Sequence, residues 1–222
     1  MYTNPQKTIY FFRHAQSDEN INQNKNIHAR EQYLTEAGKL QATQLADRIK
    51  SLQLPYLISS TLTRATETSK IISSITNLDI EYSDLFIEKQ KPSSIIGQIR
   101  QKPRILEIEK NWVNSLFEPN TQIKDGDSYD SILARVEQAI EFLKSKPEPV
   151  LGVITHQFFL NAFTINAILG DELTPDIYKR LQEQYWLENT GIVVLHYHPD
   201  YPYTGWKIIT YNDTAHLDYL KG

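Results

Sequence analysis

The sequence predicts an α/β protein, a three-layer α/β/α sandwich with a mostly parallel central sheet, helices on both faces and an antiparallel edge strand. Three observations carry this. Short β-prone apolar runs alternate along the chain with stretches of helical apolar spacing. The last two β-prone runs follow each other closely, which makes one edge of the sheet antiparallel. No internal repeat or low-complexity tract interrupts the pattern.

The elements follow in order. Residues 8–12 are a short β-prone run bounded by polar residues, as in a buried strand. Residues 36–52 place Leu40, Leu45, Ile49 and Leu52, with Ala42 and Ala46, on one helical face, and Thr35 stands at the N-cap. Residues 54–59 form the next strand, entered through Pro55, and residues 62–75 the next helix. A short strand follows near 79–82. The stretch 85–127 differs: it holds Pro92, Pro103 and Pro119, with a helix-like piece at 105–117. It reads as an insertion over one end of the sheet, within a single domain spanning residues 1–222. Residues 128–144 are a clear helix with Ile132, Val136, Ile140 and Leu143 on one face and Asp127 near the N-cap. Pro147 and Pro149 stop it and lead into a strand at 150–154. A helix at about 158–169 and β-prone runs at 192–197 and 206–211 complete the chain.

The length of 222 residues is enough for one core without covalent staples, burying roughly 70–75% of the unfolded surface. Cys is absent, which removes disulfides, thiolate zinc sites and cysteine nucleophiles together. With 23 Lys plus Arg against 27 Asp plus Glu, the net charge is −4, which argues against broad nucleic-acid binding but leaves room for a local anion pocket. The start of the chain, residues 1–7, is polar and runs into too short an apolar stretch for a signal peptide. The most apolar window, 158–169, is shorter than the about 20 residues a bilayer span requires. These features predict a soluble, cytoplasmic protein with no membrane or nucleic-acid partner. Asn212-Asp213-Thr214 matches the glycosylation sequon, here by chance.

Open sheets of this kind bind ligands beyond the carboxyl ends of their strands. Arg13 and His14 follow the first strand, and Ser59, Ser60 and then Arg64 follow the second. Glu88 lies past the third, and Thr155, His156 and Gln157 follow the fourth. Two arginines, two histidines and one carboxylate therefore converge on one edge as a net-positive cluster. Guanidinium forks match phosphate oxygens bidentately, and the amides opening the helix after His156 add to that potential. Each residue has a plainer account: a histidine capping a strand, Arg64 on the surface, Glu88 in an exposed ion pair with Lys89 or Lys91. Their joint placement at the ligand edge favours the phosphate site.

Those residues also carry a pattern. Phe12-Arg13-His14-Ala15-Gln16-Ser17, with Asn20 behind it, resembles the signature Arg-His-Gly-(Glu/Gln)-(Thr/Ser) of the histidine phosphatase superfamily, the phosphoglycerate mutase-like proteins. Leu34-Thr35-Glu36-Ala37-Gly38 with Gln41-Ala42 resembles the family's first-helix motif. Ser59-Ser60-Thr61-Leu62-Thr63-Arg64-Ala65 with Thr68 resembles its second-Arg motif, and Gly126-Asp127-Ser128 with Arg135-Val136 its Gly-Glu-Ser segment. Thr155-His156 fits the second-His motif. The stretches 189–195 and 206–217, with Asn212 and His216, resemble the closing strands. The likeness runs over nearly the whole chain. Ala15 replaces a usual Gly beside the first His, and Gln157 replaces the Gly that usually follows the second.

The resemblance implies a phosphoglycerate mutase-like fold and a phosphohistidine mechanism. His14 is the implied nucleophile, kept neutral by the like charges of Arg13, Arg64 and His156, which also clamp the phosphoryl oxygens. Asn20 is expected to donate one further hydrogen bond, and Gln157, a candidate substrate-binding residue, to alter how a backbone amide approaches the phosphate. Glu88 is the implied proton donor to the leaving oxygen, with Glu81, Asp84 and Glu107 as competitors. No metal and no cofactor is implied.

Within the family both hydrolases and mutases occur. The modest insertion favours a phosphatase acting on a small phosphorylated metabolite, although Lys89, Lys91, Arg100, Lys102 and Arg104 offer a grip on a second acidic group or simply a solvated face. The alternatives are a cofactor-dependent phosphoglycerate mutase-type transferase and a non-catalytic phospholigand-binding module. A metal site at His196 and His198, on one face of a strand, has no third ligand nearby, and an exposed edge explains the spacing. Trp112, Phe117 and Trp186 are candidates for an apolar mouth, or for core packing.

Overall fold

The computed structural model describes residues 5–21, 27 and 32–220, with the side chains of 218–220 excepted. Of the polar start of the chain, residues 1–4 lie outside these. The strands are β1 (Lys7–Arg13), β2 (Leu57–Ser59), β3 (Ile80–Tyr82), β4 (Val150–Thr155), β5 (Ile192–Tyr197) and β6 (Trp206–Asp213). The helices are α1 (Asp18–Ile21), α2 (Glu36–Lys50), α3 (Thr63–Thr76), α4 (Pro103–Ser115), α5 (Tyr129–Ser145), α6 (Gln157–Leu169) and α7 (Pro175–Gln184).

The strands form one sheet in the order β3-β2-β4-β1-β5-β6. The pairs β3–β2, β2–β4 and β4–β1 are parallel, and β1–β5 and β5–β6 antiparallel. This is the expected mostly parallel sheet with its antiparallel edge. Alternate residues of the central strands enter two cores. Ile9, Phe11, Leu151 and Val153 pack with α5 and α6 residues such as Val136, Leu143 and Phe159. Phe12 and Ile154 pack with Leu45, Ile49, Ala65 and Ile72 from α2 and α3. Three layers follow directly, because a strand buried on both faces must send side chains to both. Gly152 is required on the second side: a Cβ there would lie 2.5 Å from Leu54 Cδ1.

The helix caps explain the boundaries. Thr35 accepts the Gly38 amide at the start of α2, and Arg48 and Lys50 close that helix where its dipole favours cations. Asn77, left-handed at φ 59°, ends α3 with its amide on Ser73 O. Ser128, not Asp127, caps α5, in a reciprocal box with Ser131. Asp127 stands one residue earlier, where its carboxylate is free for other partners.

Several expectations are corrected. Leu40 is 57% exposed, because the buried face of α2 is Gly38, Ala42, Leu45, Ala46 and Ile49, and Leu40 lies off that stripe. Leu52 falls beyond α2 and packs half-buried beneath it. β2 starts at Leu57, three residues later than expected, since Pro55 has no amide for a ladder. Helices α1 and α7 were not anticipated. α1 is a single turn that buries nothing, and α7 buries only Tyr178 and Gln182, too little to write an apolar period. Among the described residues no helix is long and apolar enough to cross a membrane.

Candidate active site

The register of β1 and β4 aligns Arg13 with Thr155, so the residues that follow, His14 and His156, emerge side by side. Their ring centroids lie 5.0 Å apart. The His14 amide donates to Thr155 O at 2.9 Å. On the other flank of β4, the Ser60 amide donates to Ile154 O, and Arg64 follows in the first turn of α3. Two histidines and two arginines separated by up to 143 residues thus meet at one sheet edge because β1, β4 and β2 are adjacent and parallel.

The loop after His14 is shaped by the start of α2. Thr35 donates its amide to Gln16 O at 3.1 Å and its hydroxyl to Gln16 Oε1 at 2.8 Å. Gln41 accepts the Gln16 amide at 2.9 Å. A Cβ on Gly38 would sit 2.0 Å from Gln16 O, so only Gly allows this approach. Ala15, in place of the more usual Gly, is fully buried, with its amide on Thr68 Oγ1 at 3.1 Å.

Hydrogen bonds fix the tautomer of His14 and anchor the ring of His156. His14 Nδ1 lies 2.7 Å from Ala15 O, which can only accept, so Nδ1 carries the proton. Nε2 then holds a lone pair, and Arg64 Nε donates to it at 3.0 Å. Ser60 Oγ accepts the Leu62 amide at 3.3 Å and lies within hydrogen-bond distance, 2.8 Å, of His156 Nε2. His156 Nδ1 is buried with no hydrogen-bond partner among the described residues. Burial, then Arg64 and Arg13, hold the His14 pKa well below its usual value. Burial, then Arg64, His14 and Arg13, do the same for His156. Both rings are neutral near pH 7.

Arg13 is 7% exposed, and burial, opposed by Glu88 and Glu188, pushes its pKa down to about 10. Arg13 Nη1 donates to Leu187 O and Arg64 Nη1 to Gln32 Oε1. Neither guanidinium is in an ion pair among the described residues, so both remain to meet an anion. Asn20 Oδ1 accepts from the Ser17 amide and Asn189 Nδ2, leaving its own Nδ2 to donate. Asn189 Nδ2 also donates to His14 O at 3.0 Å.

Arg13, His14, Asn20 and Arg64 line a cavity of about 660 Å³, together with Glu88, Lys89, Trp112, Phe117, Gln157 and Gln182, while His156 lies fully buried behind His14. The cavity separates Glu88 from its competitors. Glu81 pairs with Lys146 at 2.7 Å, Asp84 takes the Thr61 hydroxyl and Glu107 is exposed on α4; none lines the cavity. Of the other acids that do line it, Glu19 is held by Lys91 at 2.6 Å, Glu109 by Arg100 at 3.0 Å, and Asp125 accepts the Ser93 amide. Glu88 accepts the amides of Phe158 and Phe159, each at 3.2 Å. This corrects the expectation that the opening amides of α6 face the ligand: two of them are already spent on Glu88. Gln157 lines the cavity half-buried.

The basic residues divide. Lys89, Lys91 and Arg100 line the cavity, whereas Lys102 and Arg104 are solvent-exposed outside it. Lys89 Nζ lies 4.1 Å from the Phe158 ring and has no ion-pair partner among the described residues. Trp186 is corrected too: it is 62% exposed outside the cavity, with Nε1 on Glu188. His198 lies past the end of β5 and accepts the Asp200 amide, and among the described residues no three His, Cys, Asp or Glu converge as a metal site. Sequence reasoning gave no role to Ser60, Gln32, Glu19 or Asn189. Ser60 alone carried a signal, its place directly after a strand.

Comparison with known proteins agrees with this geometry. The chain is 28% identical over 216 residues to a probable phosphoglycerate mutase GpmB of Escherichia coli, covering 95% of this chain and 94% of that protein. It superposes on a putative alpha-ribazole-5'-P phosphatase from Escherichia coli with a TM-score of 0.75 at 16% identity, covering 93% and 96% of the two chains. For a mycobacterial glucosyl-3-phosphoglycerate phosphatase the TM-score is 0.70 at 18% identity, with 94% and 100% covered. The family model of the histidine phosphatase superfamily (branch 1) matches residues 9–214, and the chain belongs to that superfamily.

Proposed function

We propose that the protein is a phosphomonoester hydrolase that works through a phosphohistidine on His14. The observation that carries this reading is the fixed tautomer of His14: Nδ1–H is spent on Ala15 O, and the Nε2 lone pair accepts from Arg64 beside the His156 ring. The phosphoryl oxygens take the donors of Arg13, Arg64, Asn20 and His156, which frees His14 Nε2 from Arg64. Nε2 attacks phosphorus and the bond to the ester oxygen breaks, while Glu88 in its acid form gives that oxygen a proton. Water then attacks the phosphohistidine, Glu88 takes its proton, and phosphate leaves. Most of the rate comes from the cationic clamp, since phosphoryl transfer is mainly positioning and electrostatics. The two arginines supply the positive charge, so the reaction is expected to be metal-independent and to run fully in EDTA.

Hydrolysis rather than mutase transfer is supported by the cavity. A mutase must keep water from its phosphohistidine. About 660 Å³ of space beside His14, lined by charged as well as apolar side chains, leaves ample room for water. In this reading residues 1–222 form one domain and 85–127 cap the cavity. The substrate is a small phosphorylated metabolite, with Lys89 placed to meet a second anionic group. The test is phosphate release measured beside isomerisation of phosphoglycerate. Release across small phosphoesters with little isomerisation is expected; fast isomerisation with little release would overturn the hydrolase assignment, and tight binding without turnover would favour a binding module.

A further inference from the structure

We infer that Arg135 and Asp127, on and just before the first turns of α5, are a positioning pair that holds Glu88 in place for proton transfer; this rests on the role proposed above for Glu88. The chain around Glu88 is fastened on both sides. Before it, Arg135 Nη1 donates to Ile87 O at 2.6 Å. After it, the Gln90 amide donates to Asp127 Oδ2 at 2.8 Å, and the Asp127 amide returns a bond to Gln90 O at 2.8 Å. Arg135 Nη2 closes the circuit on the same Asp127 Oδ2 at 2.6 Å. Ser131 Oγ donates to the other carboxylate oxygen at 3.0 Å.

The two charged side chains are 13% and 12% exposed, and neither lines the cavity. Their hydrogen bonds reach the reacting groups through residues 87–90, while the Arg135 charge also acts on Glu88 and His156 directly. The fit is close: a Cβ on Gly126 would lie 2.7 Å from Pro92 and 2.9 Å from Trp112. Trp112 Nε1 donates to Asp127 O at 2.9 Å, which ties α4 to the same point. The planar fork of Arg135 serves two acceptors on two segments at once, a task an ammonium does less well. The Glu88 carboxylate is thus left to move between helix amides and substrate while its backbone stays fixed.

Leaving-group dependence tests this. An aryl ester such as p-nitrophenyl phosphate has a leaving group that hardly needs a proton, whereas glycerol 2-phosphate does. Glu88→Gln serves as the reference and is expected to lose about 100-fold or more in kcat on the alkyl ester and under tenfold on the aryl ester. Arg135→Lys and Asp127→Asn are expected to show the same skew at about tenfold, and to add little to it when combined with Glu88→Gln. Thermal melts of each variant exclude loss of folded enzyme. Equal losses on both esters, or further losses in the Glu88→Gln background, would overturn the positioning role. If Glu88→Gln itself shows no skew, the assignment of Glu88 fails, and the positioning role falls with it.

Discussion

Arg64 Nε donates to His14 Nε2 at 3.0 Å, so the arginine that a phosphoryl group would recruit occupies the lone pair of the proposed nucleophile until that group arrives. The same contact places a fixed positive charge against a buried ring, and with burial it keeps the imidazole unprotonated.

The pH dependence follows in sign. An unfolded histidine titrates near 6.5, but His14 and His156 titrate well below that in the folded protein. Below pH 6.5 the unfolded chain takes up protons that the folded chain refuses. Stability is therefore full above that pH and falls as pH drops, by about 1.4 kcal/mol per pH unit for each histidine. Urea unfolding at pH 7 and 5.5 should show a loss that shrinks in His156→Asn. An unchanged slope in that variant contradicts the assignment.

Ser60→Ala removes the hydroxyl bonded to His156 Nε2 and frees the ring to turn. Inorganic phosphate should then inhibit about tenfold less well, as expected for losing a hydrogen bond worth about 1–1.5 kcal/mol. Product-inhibition constants check this; an unchanged constant shows that Ser60 does not set the ring.

Gly38→Ala puts a methyl 2.0 Å from Gln16 O, on backbone that cannot yield easily. A loss of about 1–3 kcal/mol is expected in denaturant titrations, with a drop in kcat larger than the folded fraction accounts for. Wild-type stability in the variant would mean that the loop after His14 is not pinned by α2.

The sheet was legible because its strands are apolar runs cut off by punctuation. β5 matches its expected bounds, 192–197, flanked by Gly191 and Pro199. α7 was not, because most of its surface faces water and Thr174 and Pro175 were its main local signal. His14, Arg64 and His156 were legible because strand ends point to the ligand edge. Gln32 and Asn189 were not, because their roles exist only through Arg64, 32 residues away, and His14, 175 residues away. The destination of the α6 amides was hidden for the same reason: nothing local in 156–159 announces Glu88.

Acid quenching during turnover, followed by peptide mapping, tests the central claim most directly. A phosphoryl group on the peptide containing His14, absent in His14→Ala, is the result expected. A phosphorylated peptide elsewhere in the chain, or near wild-type turnover by His14→Ala, would contradict it.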